Sequence, residues 1–290
     1  MKVTGVLSFV WLSGWLALGC GGGKGDTGGG DVPTSGDFSV LTYNVHGLPP
    51  EITGDDTAAR MVDIGPLLDA YDIVGLQEDF DDDNHATLMD GRFHQTQRRF
   101  ADKLEDRLYG SGLAVLADMA EQGHQHEHFD DCNGVFDGSS DCLASKGFQA
   151  VRLTFGGEAE FDLYNTHLEA GGGDEDDAAR ATQVDQILEM MTTWSDGRAI
   201  VFVGDTNLDV GDEDDDPLLD AIMETPGLTD ACEAVGCDEP DHIDRIFFRS
   251  GGGVSIEVTE WSVEGQFVDG DGVDLSDHPA VAARVQWSVE

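Results

Sequence analysis

The sequence predicts an α+β fold in which strands outnumber helices. Short apolar runs recur along most of the chain, bounded by Gly, Asp or Asn. Only two segments carry a sustained helical spacing of apolar residues. Polar residues with useful chemistry stand directly after several runs, where a sheet presents groups to a cleft at its edge. Alternation within the runs suggests sheets with one covered face and one solvated face.

Taken in order, Phe38 to Tyr43 reads as a strand ending at Asn44. Thr57 to Ala70 has helical spacing through Met61, Ile64, Leu67 and Leu68, with a break expected at Pro66. Asp72 to Gln77 is a second strand, ending at Glu78. Leu113 to Leu116, Phe148 to Phe155 and Phe161 to Thr166 are further strands, the last ending at His167. Ala178 to Trp194 is helical through Val184, Ile187, Leu188 and Met191. Ala199 to Val203 leads into Gly204-Asp205, and Asp244 opens a strand to Phe248. Ser255 to Trp261 and Ala280 to Trp287 complete the set, the latter after Asp277-His278. Asp79 to Arg99 and Asp118 to Asp141 are expected to be long loops. No internal repeat is visible, and a single domain is expected.

The N-terminus reads as an export signal over residues 1–19. Lys2 precedes an apolar run from Val6 to Leu18, too short to span a bilayer and suited to a signal segment. Ala17-Leu18-Gly19-Cys20 resembles a bacterial lipoprotein cleavage box, although Leu usually stands where Ala17 does. Residues 20–36 form a Gly-rich tether, with lipid attachment expected at Cys20 and plain secretion as the alternative. The remainder, 37–290, is expected to form the folded domain. A cell-envelope lipoprotein or secreted monomer is therefore expected. The other cysteines pair locally as Cys132 with Cys142 and Cys232 with Cys237, which suggests two short-loop disulfides. Zinc is the competing reading, because His124, His126 and His128 precede Cys132; a surface loop is the expectation for these histidines.

With 59 acidic and 15 basic residues, the formal charge is −44. Nucleic acid is gripped through Lys and Arg on phosphates, so most of this surface repels a polyanion. The same charge disfavours anionic lipid.

Asn44, Glu78, Asp205, Asn207 and Asp277 carry oxygen ligands near strand ends, and hard cations such as Mg²⁺ or Ca²⁺ prefer oxygen. His167 and His278 stand at similar points and can move protons near neutral pH. Together they suit metal-assisted attack of water on a phosphoester. Clustered carboxylates without a cation would raise at least one pKa.

The ordered series Thr-Tyr-Asn44, Gln-Glu78, Asn-Thr-His167-Leu, Gly-Asp205-Thr-Asn207, Ile-Asp244-Arg-Ile and Ser-Asp277-His278-Pro resembles the endonuclease/exonuclease/phosphatase superfamily, from residue 38 to 286. That resemblance implies a two-sheet α/β sandwich of the deoxyribonuclease I type with its site at one rim. It implies that Glu78, Asn44 and Asp277 serve a Mg²⁺ (or Mn²⁺ or Ca²⁺). Asp205 and Asn207 would orient water and phosphoryl oxygens. Asp244 would fix the tautomer of His278, the base or phosphate contact, and His167 would face the phosphate or leaving group. Either histidine remains open as the base.

Ser111 to Leu116 and Lys146-Gly147-Phe148 resemble segments of the sphingomyelinase-like branch, with Lys146 a candidate substrate contact. The expected substrate is a lipid headgroup or small phosphoester. Nucleic acid is the runner-up, and a noncatalytic binding module the third reading. Trp261 and Phe267 stand where haemolytic members carry a membrane hairpin, but here a core and a turn role are expected. A nuclease would line its cleft with cations drawn from Arg92, Arg98, Arg99, Lys103, Arg107, Lys146 and Arg245. If helical, Arg99, Lys103 and Arg107 would share one face, although pairing with local carboxylates is favoured.

Overall fold

A computed structural model describes residues 32–134, 141–238 and 242–290. The export signal, Cys20 and the tether through residue 31 lie outside the described residues. The first strand, β1 (Ser35–Asn44), begins ahead of the expected Phe38. The chain continues through α1 (Pro50–Thr53), α2 (Thr57–Leu68), β2 (Ile73–Gln77), α3 (Asp82–Met89), β3 (Thr96–Phe100), β4 (Leu113–Ala117) and β5 (Ala120–His128). Then come β6 (Gly147–Gly156), β7 (Ala159–His167), α4 (Asp174–Thr193), β8 (Ala199–Asp205), α5 (Asp216–Glu224), β9 (Thr229–Asp230) and α6 (Ala231–Val235). β10 (Asp244–Arg249), β11 (Val254–Val263) and β12 (Val281–Val289) end it.

The strands form two six-stranded sheets, ordered β11-β12-β1-β2-β4-β3 and β5-β6-β7-β8-β10-β9. Each has one parallel pair at its heart, β1 with β2 and β7 with β8; the other pairings are antiparallel. Val40, Ile73 and Val115 of the first sheet meet Val151, Leu163, Val201 and Ile246 of the second in a shared core. Their sequence neighbours point outward, as strand geometry requires. Leu41, Val74 and Leu76 pack on Met61, Ile64 and Leu68 of α2. Ala150, Tyr164 and Phe202 pack on Val184, Ile187 and Met191 of α4 and on Ile222 of α5. The result is a helix–sheet–sheet–helix sandwich. Helices cover both outer faces, so the central strands are buried on both sides and not on one, as the alternation had suggested.

Three local expectations change. α2 runs on through Pro66 to Leu68, because Ile64 and Leu68 are anchored in the core. The carbonyl that Pro66 cannot pair belongs to Val62, on the solvent side at 59 % exposure. Residues 79–99 are not one long loop. They hold α3 and β3, and the Asp81 carboxylate caps α3 by accepting from the N–H groups of Asp83 and Asn84. Residues 118–141 are not one loop either, because β5 occupies Ala120–His128 at a sheet edge. Its histidines lie on this polar edge strand, where charge discourages strand addition. Among the described residues, no helix is long and apolar enough to cross a membrane.

The cysteines pair as expected, Cys132 with Cys142 and Cys232 with Cys237, which removes both pairs from any zinc site. Phe267 is buried against Tyr43 and Tyr71, and Trp261 packs on the inter-sheet core, so neither forms an exposed aromatic hairpin tip.

Candidate active site

Strand direction alone delivers the motif residues to one rim. β1 runs parallel to β2, and β7 to β8, so Asn44, Glu78, His167 and Asp205 emerge at the strands' carboxyl ends. His167 lies directly beside Asp205, and Asp244, opening antiparallel β10, lies on its other side. β12 runs back along β1, which returns Ser276 to His278 to the same edge; the Ser276 hydroxyl donates to the Asn44 carbonyl at 2.7 Å.

A buried polar bridge holds the sheets in alignment beneath the rim. Asn165 Nδ2 donates to the carbonyls of Leu76 and Ala114, each at 3.0 Å, and Gln77 Nε2 donates to Asn165 Oδ1 at 2.7 Å. Gly75 permits the approach, since a Cβ there would lie 2.4 Å from Val203 Cγ2 and 3.2 Å from Asn165 Oδ1.

At the rim, Asn44 Nδ2 donates to Glu78 Oε1 at 3.1 Å and to Asp205 Oδ2 at 3.0 Å. His278 Nδ1 is 2.8 Å from Asp244 Oδ2, and His167 Nε2 is 3.5 Å from Asp205 Oδ2. The other Asp205 oxygen accepts the Asn207 N–H, while Asn207 Nδ2 donates to the Leu168 carbonyl. Asp277 is the outermost of the set, and its carboxylate faces His46 Nδ1 at 3.2 Å. The non-glycine residues with positive φ among those described are His46, Glu78 and Asn207, all in this cluster. Such strain persists where the surroundings over-determine a backbone, and it gathers at functional sites.

Burial and charge set the protonation states. Burial raises the Glu78 carboxyl above its usual range, opposed by the Asn44 hydrogen bond and the Lys146 charge and reinforced by Asp205. Burial likewise lifts Asp244 to about 6, against the His278 hydrogen bond. Burial disfavours His278 charge, but the Asp244 hydrogen bond and the charges of Asp244, Asp205 and Asp277 outweigh it, raising the pKa to about 9. His167 goes the other way, down to about 3, through burial and the neighbouring Lys146 ammonium. The His46 hydrogen bond draws Asp277 down to about 2.

All eight predicted catalytic and metal residues therefore meet on one edge. Lys146 stands beside them, buried and contacted by protein groups. It is 4 % exposed, and its ammonium contacts Asp141 Oδ1 at 2.7 Å, the Leu168 carbonyl at 2.7 Å and His167 Nε2 at 3.1 Å. All three of its protons have protein acceptors, which argues against a direct substrate contact. His46 and Asp141 escaped sequence reasoning, and Asn165 and Ser276 stand in the motifs but carried no assigned role there. His46 had a signal, standing two residues past Asn44. Asp141 had none, because its partner Lys146 reaches it through a loop.

The match to the family model described as Endonuclease/Exonuclease/phosphatase family 2 spans residues 41–225. The chain belongs to this family. The sphingomyelinase of Mycobacterium tuberculosis is 31 % identical over 275 residues, covering 87 % of this chain and 54 % of that protein. The chain thus spans about half the length of this curated relative. A magnesium-bound variant of Staphylococcus aureus beta toxin superposes with a TM-score of 0.62 at 17 % identity, covering 86 % of this chain and 99 % of the other. D. rerio TDP2 with a single-strand DNA product superposes with a TM-score of 0.67 at 18 % identity, covering 86 % and 98 %. These superpositions fix the fold as the deoxyribonuclease I-like sandwich expected from the motifs.

The donors of this family member suit a hard divalent cation. Glu78 and Asp205 crowd the same Asn44 amide, Asp244 Oδ1 is buried without a hydrogen bond, and oxygen donors dominate the rim. Asn44 Oδ1 accepts the His46 N–H and keeps a second lone pair for a ligand role.

Proposed function

We propose that this chain is an exported, divalent-cation-dependent phosphodiesterase acting on a zwitterionic lipid headgroup or a small phosphoester. The supporting observation is the convergence of Glu78, Asp205, Asp244 and His278 on one rim in a strongly acidic protein. Glu78, with Asp277 and Asn44, would hold the cation, with Mg²⁺ the expected ion and Mn²⁺ or Ca²⁺ the alternatives. When bound, that cation neutralises phosphoryl charge and lowers the pKa of nearby groups. Asp205, braced by the Asn207 N–H, orients the attacking water. Asp244 fixes His278 Nδ1 as the donor side, so Nε2 is the atom that takes the water's proton, and it does so only from the neutral ring, which in the cation-free site prevails above about pH 9. His167 is too strongly held neutral to serve as an acid at ordinary pH.

The choice of substrate rests on charge. Six of the seven cations a nuclease would use are paired, Arg92 with Asp69, Arg98 with Glu121, Arg99 with Asp82, Arg107 with Asp106, Lys146 with Asp141 and Arg245 with Asp230, while Lys103 contacts the Leu108 carbonyl at 3.4 Å. Arg98 and Arg99 lie on β3 and not on a helix, so no basic helical stripe forms. Lipid attachment at Cys20 would place the site near membranes. The test is hydrolysis of sphingomyelin vesicles, bis-p-nitrophenyl phosphate and plasmid DNA with Mg²⁺ or EDTA, alongside His278→Ala. Cleavage of DNA alone, abolished by His278→Ala, transfers the assignment to a nuclease. No cation-dependent hydrolysis of any substrate leaves a binding module.

A further inference from the structure

The geometry points to Lys146 as a positioning residue that dictates which nitrogen of His167 carries the proton. This rests on the phosphoesterase reading for its purpose, but not for its test. A lysine ammonium has only donors to offer, so the His167 Nε2 that it contacts at 3.1 Å must present a lone pair. The imidazole proton is then confined to Nδ1. That atom is buried and has no hydrogen-bond partner, an arrangement the ring would not choose unaided. Without the lysine, Nε2 would carry the proton and donate to Asp205 Oδ2, now 3.5 Å away. Lys146 therefore keeps His167 from competing for the carboxylate that the mechanism assigns to the attacking water.

The ammonium is held in place from three directions. Asp141 Oδ1 pairs with it, and Asp141 Oδ2 accepts the Ala170 N–H at 2.6 Å. Asp141 immediately precedes Cys142, which the disulfide ties to Cys132. The Leu168 carbonyl, one residue beyond His167, accepts a further Lys146 proton at 2.7 Å. The lysine is thus fixed to the backbone of the strand end it serves.

The test is ¹⁵N NMR of the histidine rings in the full exported chain, without substrate. His167 is assigned by His167→Gln, and Lys146→Met and Lys146→Arg are compared with the wild type. The wild-type ring is expected as the Nδ1–H tautomer, Lys146→Met as the Nε2–H tautomer, and Lys146→Arg as the wild type. A wild-type ring protonated on Nε2 overturns the proposal even if Lys146→Met does not fold. So does an unchanged tautomer in folded Lys146→Met. On whichever phosphoester is hydrolysed, Lys146→Met should lower kcat about 10- to 100-fold with KM nearly unchanged. A raised KM at unchanged kcat would instead make Lys146 a substrate contact. Absence of any hydrolysis removes the phosphoesterase reading and leaves the tautomer result standing.

Discussion

Replacing Glu78 by Gln should make the cation-free protein more stable while removing its response to cations. The carboxylates of Glu78 and Asp205 each lie about 3 Å from Asn44 Nδ2, so the two contacting oxygens are at most about 6 Å apart. At an effective dielectric near 20, two charges at that separation repel by about 3 kcal/mol. Losing the attraction of Glu78 to Lys146 and His46 offsets this repulsion, and the net gain, roughly 1–3 kcal/mol, comes from no longer burying the charge, which is the largest cause of the raised carboxyl pKa. The sign agrees with the raised Glu78 pKa. A carboxyl that binds its proton more tightly when folded costs nothing below its ordinary value of 4.5, and the cost grows as pH rises through the elevated value. At neutral pH the cost is therefore present, and Gln abolishes it while keeping an acceptor for Asn44. For a domain of this size the melting temperature in EDTA should rise by roughly 2–10 °C. Saturating cation should stabilise the wild type by about 2.7 kcal/mol at a hundredfold excess over Kd, and the variant by much less. Thermal melts with EDTA and with Mg²⁺, Mn²⁺ or Ca²⁺ measure both effects. A Gln variant that melts below the wild type in EDTA, or keeps the full cation-induced shift, would refute the reasoning.

Three further outcomes follow from the same geometry. Asp244→Asn should let the His278 pKa fall from about 9 toward 6.5, because it removes the main opposing charge; an NMR titration of the ring protons reads this, and an unmoved value rejects the pairing. Asn165→Ala should remove the side-chain bonds to the Leu76 and Ala114 carbonyls and leave Gln77 Nε2 with Thr42 Oγ1 as its remaining acceptor, costing about 3 kcal/mol in urea unfolding. Gly75→Ala should cost roughly 1–3 kcal/mol by driving a methyl toward Val203, and a wild-type urea midpoint would show that the sheets can separate freely.

The element types were largely legible because apolar periodicity records which face is buried. The expected strands exist; β1, β2, β7 and β8 end at or beside Asn44, Glu78, His167 and Asp205, and β10 begins at Asp244. Elements without that signature were not legible. α3 buries few apolar side chains and owes its start to the Asp81 cap, while β5 is a polar edge strand. Pro66 misled because local backbone preference was outweighed by the anchoring of Ile64 and Leu68. The site residues were legible by type and order, but their contacts were not. His46, Asp141 and the true setting of Lys146 depend on loops that cross between strands.

The sequence by itself determined the chemistry available to this protein: oxygen ligands and imidazoles at strand ends, in a chain too acidic to welcome a polyanion. Only the tertiary structure decided which of these groups face one another. Strand direction and register bring Asp205 between His167 and Asp244 across long stretches of chain; burial disfavours charge on both histidines, and the carboxylates around His278 against the ammonium beside His167 then split them, one held charged and one neutral. A sequence fixes a residue's own ordinary affinity for protons, whereas the charges and solvent around it exist only once distant segments have packed.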